Sequence, residues 1–116
     1  MYRKYISQCI LILGRSIYGG DALSSCQILK GGRWISQPPM RNKRRSAAAC
    51  VSKDGDFVVT GGTESKVGGG FTRLSSTEIF KNGQWQMGPA LPKTIFHHCM
   101  VATKKGVIVA GEYQNA

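Results

Sequence analysis

The chain has little negative charge and little metal-binding chemistry. Of its 116 residues, six are Asp or Glu and two are His, against 16 Lys or Arg, for a formal net charge of +10. None of the four cysteines, at positions 9, 26, 50 and 99, sits in the C-x-x-C spacing that structural zinc sites use. No apolar run approaches the ~18–20 residues of a membrane-spanning helix; Cys9–Leu13 extends over five. No window keeps a helical period, so no helix is expected. There is no nucleophile-elbow serine and no HExxH, and Gly68-Gly69-Gly70 lacks the Lys-Ser/Thr of a phosphate loop. His97 and His98 are adjacent. Neighbours on a strand point to opposite faces, so this pair cannot readily share one metal ion. The carboxylates form no convincing acid/base pair. Catalysis by the chain is not expected, and neither a metal nor a cofactor is implied.

What is present is glycine, apolar residues and positive charge. Fifteen glycines and 41% hydrophobic residues in 12.6 kDa suit one small domain of many short strands and tight turns. Met1–Lys4 is basic and precedes Cys9–Leu13, the outline of a signal peptide. The apolar part is shorter than the ~7–15 residues expected and no small-x-small site follows, so a strand explains these residues better.

The sequence repeats. Displaced by 51 residues, Ser24 to Trp34 falls on Ser75 to Trp85 and Pro38 falls on Pro89. Across 24–51 against 75–102, seven of 28 positions are identical: Ser24, Ser25, Ile28, Lys30, Gly32, Trp34, Pro38 and their partners. Both tryptophans of the chain take part. A second displacement, of 41, sets Cys9 on Cys50 and Gly14 on Gly55. Three apolar runs then enter glycine: Ile17-Tyr18-Gly19-Gly20, Phe57 to Gly61-Gly62, and Val107 to Gly111.

Four strands per unit follow. Strand a is expected at 5–12, 46–52 and 97–103, and strand b at 15–19, 56–60 and 107–110. Strand c is expected at 25–29 and 76–80, and strand d at 33–36 and 84–87. Lys30-Gly31-Gly32 and Lys81-Asn82-Gly83 read as the c–d hairpin turns, because these residues tolerate positive φ.

A hydrophobic strand ending in Gly-Gly, an acidic strand-c residue (Glu78), an apolar position (Phe80), a following Trp (Trp85) and a Pro-rich linker (Pro38-Pro39-Met40; Pro89-Ala90-Leu91-Pro92) together resemble the Kelch repeat. The resemblance extends over nearly the whole chain. It departs at Gln27, where the second copy has Glu78, and at Gly111-Glu112, where the others have Gly-Gly.

The resemblance implies an all-β fold, part of a Kelch-type β-propeller with four-stranded antiparallel blades. Residues 1–45 would form one blade, 46–96 a second, and 97–116 the first half of a third. Gly19, Gly20, Trp34, Gly61, Gly62, Glu78, Trp85 and Gly111 are the structural repeat positions, with both tryptophans packing between blades. Propellers close with about 4–8 blades, so the chain is expected to be a piece of a larger protein or to assemble with further blades.

The resemblance also implies a protein–protein interaction module. One context in the family is substrate recruitment for cullin-type ubiquitin ligases; the sequence does not name the compartment, and the cytoplasm is slightly favoured over an extracellular setting. The alternatives are a fragment of a galactose-oxidase-like copper enzyme and an extracellular Kelch-repeat binding protein.

Alternating strands send the b–c loops and the d–a linkers to one face. That face gathers Arg41, Lys43, Arg44, Arg45, Lys66, Arg73 and Lys93 against Asp21 and Glu64. The opposite face has Lys30, Arg33, Lys53, Lys81, Lys104 and Lys105 against Asp54 and Asp56. Local density sets the first face apart: four cations lie within Arg41–Arg45. Arginine can hold carboxylates through two hydrogen bonds. The expected ligand-binding residues are therefore Arg41, Lys43, Arg44, Arg45, Lys66 and Arg73, and the expected ligand is a protein or acidic peptide. A membrane surface or nucleic acid is not the expected partner. The loop 63–74, with its three glycines, is expected to be flexible, and the cysteines to be buried, reduced thiols.

Overall fold

Two hairpins set the architecture. The computed structural model describes residues 10–13, 24–66 and 68–111. Within these, β1 (Ile10–Leu13), β2 (Cys26–Lys30) and β3 (Arg33–Gln37) form a first antiparallel sheet. A second sheet has the order β4 (Ala48–Val51), β5 (Phe57–Thr60), β8 (Thr77–Lys81), β9 (Gln84–Gly88). The third is β10 (Cys99–Thr103) with β11 (Gly106–Ala110). Between β5 and β8 stands a small hairpin of β6 (Thr63–Ser65) and β7 (Phe71–Arg73). The described fold is all-β, with antiparallel sheets, no helix and no closed sheet.

The 51-residue repeat is visible in the backbone. Leu29 pairs with Trp34 as Phe80 pairs with Trp85, and Lys30 with Arg33 as Lys81 with Gln84. The glycines and Asn82 supply the positive φ these two-residue turns need: Gly31 59°, Gly32 76°, Asn82 52°, Gly83 78°. Beyond each hairpin the chain folds back under the same hydrogen bond. The Met40 N–H donates to Ser24 O at 2.8 Å, and the Leu91 N–H to Ser75 O at 2.7 Å.

Paired residues share a face of a sheet. One face of the second sheet presents Phe57, Val59, Phe80 and Trp85. It packs on Cys26, Ile28 and Met40 of the first unit, forming the buried core. Phe80 and Trp85 lie 5.0 Å apart, and the Trp85 indole N–H donates to Pro38 O at 2.8 Å. The other face of the second sheet meets the third unit through Ile95, His98 and Met100. The second unit thus turns its Trp85 face on the first unit, and the third turns the face bearing Met100 on the second.

Three sequence expectations are corrected here. The apolar run at 10–13, expected within strand a, pairs with β2, on the edge that β5 occupies beside β8. It stands in the second position of the unit, because apolar content marks a strand without choosing its neighbour. The strand expected at 15–19, with Gly19 and Gly20, lies outside the described residues. Trp34 does not pack between units. It is 47% exposed, whereas Trp85 is 6% exposed, because its face has no unit in front of it among the described residues. The thiols also differ. Cys26 is buried, Cys50 half-buried and Cys99 exposed. Burial, partly offset by a hydrogen bond with Trp85, pushes the Cys26 thiol up to about 11.

His98 sits where the second and third units meet. Its Nε2 lies 2.9 Å from Thr60 Oγ1, and that hydroxyl donates to Met100 Sδ at 3.1 Å. The other ring nitrogen, Nδ1, is buried with no partner. Burial lowers the His98 pKa from 6.5, partly offset by the hydrogen bond with Thr60. The unfolded chain binds this proton more readily, so stability should be full above about pH 6.5 and fall as pH drops below that value. Urea unfolding between pH 7.5 and 5 should show this slope. His98→Gln, whose amide can keep the Thr60 bond, should flatten it; an unchanged slope would contradict the assignment.

Candidate functional site

The cationic run Arg41–Arg45 divides in the folded chain. Arg44 is a correction to the expected binding surface: it is fully buried, as is Glu78. Its guanidinium is used internally. Nε and Nη2 donate to Glu78 Oε2 at 3.2 and 2.9 Å. Nη1 donates to Gly61 O and Ser76 O at 2.8 and 3.0 Å, and Nη2 also to Ser76 Oγ at 2.8 Å. Glu78 accepts further bonds from the Arg41 and Asn42 amides, at 2.6 and 3.0 Å. Every strong donor of Arg44 has a partner inside the fold, so it cannot present charge to a ligand.

Gly61 and Gly62 are shaped by the same cluster. With φ of 64° and 93°, they let the chain turn from β5 towards β6 against two linkers. A Cβ on Gly61 would run into the Ile95 carbonyl, and one on Gly62 would lie 2.7 Å from the Arg45 carbonyl. At Gly111 a Cβ would stand 2.8 Å from that of His98. These three repeat positions therefore answer to close approach of the backbone.

The remaining cations stay near the surface. Arg41 and Lys43 are exposed, and the Lys43 amide donates to Glu64 Oε1 at 3.3 Å. Arg45 and Thr63 exchange backbone hydrogen bonds of 2.9 and 2.8 Å, which ties the linker to the β6–β7 hairpin. Residues 63–74, expected as a flexible loop, thus contain a hairpin bridged to the linker.

Between hairpin and linkers lies a cavity of about 500 Å³. Arg45 and Lys66 line it with Ser46, Phe71, Phe96 and His97. Phe71 and Phe96 meet edge to face at 6.3 Å, and the His97 ring centre is 5.0 Å from that of Phe96. The Arg73 guanidinium stands 5.8 Å from the Phe96 ring centre, within cation–π range. Of the expected binding residues, Arg45 and Lys66 line this cavity. Arg73 does not line it and reaches only the Phe96 ring, and Arg41 and Lys43 do not line it either.

Ser46, Phe71, Phe96 and His97 were not foreseen. A signal for two of them lay in the repeat, since Ser46 and His97 are 51 residues apart. Both hold positive φ, 58° and 54°, uncommon for residues other than glycine. The His97 amide donates to Ser46 O at 3.1 Å, so equivalent linker bends of two units meet at the cavity wall. Among the described residues, no group of three or more His, Cys, Asp or Glu could hold a metal ion.

No protein-family model matches the chain, and no curated protein matches it significantly.

The buried pair gives a direct test. Glu78→Gln leaves Arg44 charged and buried without its counter-ion and should cost about 3–5 kcal/mol in urea unfolding. Combining it with Arg44→Met should recover part of that loss. A cost below about 1 kcal/mol, typical of exposed ion pairs, would contradict the buried arrangement.

Proposed function

We propose that this chain is a Kelch-type repeat module, part of a β-propeller architecture, that binds an acidic protein segment at the cavity beneath the β6–β7 hairpin. The observation that carries the reading is the meeting of Arg45, Lys66 and the Phe71–Phe96 pair around one concave site. Cations at a rim steer and orient carboxylates, and aromatic walls supply apolar contact area. The ligand that suits both is a peptide with Asp or Glu beside an aromatic or aliphatic side chain. The net charge of +10 adds long-range attraction for such a segment. The placement of the site agrees with the general use of loops on a rigid scaffold for recognition.

The test is titration of a fluorescent peptide carrying alternating Glu and Phe. Arg45→Glu with Lys66→Glu should weaken binding by on the order of tenfold or more, mainly through slower association. The Arg45 backbone bonds to Thr63 remain available in this variant. Lys104→Glu with Lys105→Glu, in the β10–β11 turn, makes the same change of net charge and should leave affinity within about twofold. Equal losses from both variants would reduce the effect to bulk charge and overturn the site.

A further inference from the structure

The cavity beneath the β6–β7 hairpin brings charge, hydroxyls and phenyl rings to one place. Its walls hold two cations, Arg45 and Lys66, the side chains of Ser46 and Ser65, and the rings of Phe71 and Phe96, with no Asp or Glu among the described residues that line it. Phe71 is 51% exposed. Gly69 and Gly70, on the same wall, hold φ of 109° and 77°, and nothing stands within 4 Å of where a Cβ would lie on either. Space beside both is therefore open.

A single carboxylate uses little of this. An Asp or Glu side chain brings one charge and two oxygens into about 500 Å³, a volume within the ~300–1,000 Å³ of small-molecule sites. A phosphorylated side chain brings about −1.5 to −2 charges and three acceptor oxygens. Two cations with hydroxyls beside them suit that count. Phosphoserine would meet the polar groups and leave the phenyl rings uncovered. Phosphotyrosine carries its phosphate on a phenyl ring, which can join Phe71 and Phe96 as a further aromatic contact. A nucleotide also joins a ring to a phosphate, but a base stacks on a free ring plane. Arg73 and His97 already lie against Phe96, and Phe71 meets it at 71°. That makes a corner for one phenyl ring rather than a slot for a base.

We infer that the cavity takes a phosphotyrosine side chain of a partner peptide, its phosphate on Arg45 and Lys66 and its ring against Phe71. The inference rests on the acidic-segment reading above and names the group that fills the site. Arginine holds phosphate through two parallel charge-assisted hydrogen bonds, among the stronger polar contacts a protein makes. The ring supplies apolar area that a carboxylate lacks. Each half of the ligand is incomplete alone: the ring without its phosphate loses the cations, and the phosphate without its ring loses the aromatic wall. Recognition is therefore switched on when the tyrosine is phosphorylated and off when the phosphate is removed.

The experiment is fluorescence anisotropy on the whole chain with one Glu-containing peptide made in four forms, bearing phosphotyrosine, tyrosine, phosphoserine or glutamate at a single position. The phosphotyrosine form should bind on the order of tenfold or more tighter than each of the others. Phe71→Ala, at an exposed ring, should remove most of its advantage over phosphoserine. Arg45→Glu with Lys66→Glu should remove its advantage over tyrosine. Circular dichroism checks that the variants fold. On the wild type, phenyl phosphate should displace the peptide at concentrations where inorganic phosphate and adenosine monophosphate do not. If the alternating Glu and Phe peptide binds and phosphotyrosine is no tighter than glutamate, this inference falls and the acidic-segment reading stands. If no peptide binds, both fall. Equal affinity for phosphotyrosine and phosphoserine, or stronger displacement by adenosine monophosphate than by phenyl phosphate, overturns the phosphotyrosine assignment. So does a phosphotyrosine advantage that survives the double charge reversal.

Discussion

A guanidinium and a carboxylate, both withdrawn from water, fix the junction between the first two repeat units. Arg44 and Glu78 lie 34 residues apart and pair at 2.9 Å. Glu78 also takes the Arg41 and Asn42 amides. The strand-c carboxylate thereby fastens the linker that enters its own unit. An unpaired charge in that position would be severely unfavourable, so the linker has one register in which it can close. Arg45, the next residue, is bridged to Thr63 as a consequence, which places it at the mouth of the cavity.

The same junction is built twice with different chemistry. Ile95 is the equivalent of Arg44 in the next linker, and it too is buried. It fills its place by van der Waals contact against Gly61 and by backbone hydrogen bonds, its amide to Leu74 O and its carbonyl from Gly62 N–H. One junction is therefore held by a charged network and the other by apolar packing, on similar backbone geometry. Ser46 and His97, two residues further on in each linker, adopt the same left-handed bend. The cavity arises because the two bends face one another beneath the β6–β7 hairpin.

The c–d hairpins were legible in the sequence because tryptophan and Asn-Gly or Gly-Gly turns carry both phase and geometry. The strand positions of the second sheet followed from them. The placement of 10–13 did not, since Ile10–Leu13 is apolar at every position and gives no sign of which edge it joins. The β6–β7 hairpin was missed because Thr-Glu-Ser and Phe-Thr-Arg are too short and polar to show alternation. Within Arg41–Arg45 the residue type is nearly uniform. Nothing local separates the buried Arg44 from the surface Arg45, and the deciding partner lies in a distant strand. Phe71 and Phe96 come together only through the fold.

The central claim is that Glu78 locks the linker from inside. Hydrogen exchange of the native chain by NMR reads this at the two amides that donate to its carboxylate. Arg41 and Asn42 precede the exposed Lys43, and as ordinary surface loop residues their amides would exchange freely. The account predicts protection at both, comparable with amides paired within β8 and released together with them under mild denaturant. Exchange at Arg41 and Asn42 as fast as in an unstructured peptide would contradict it.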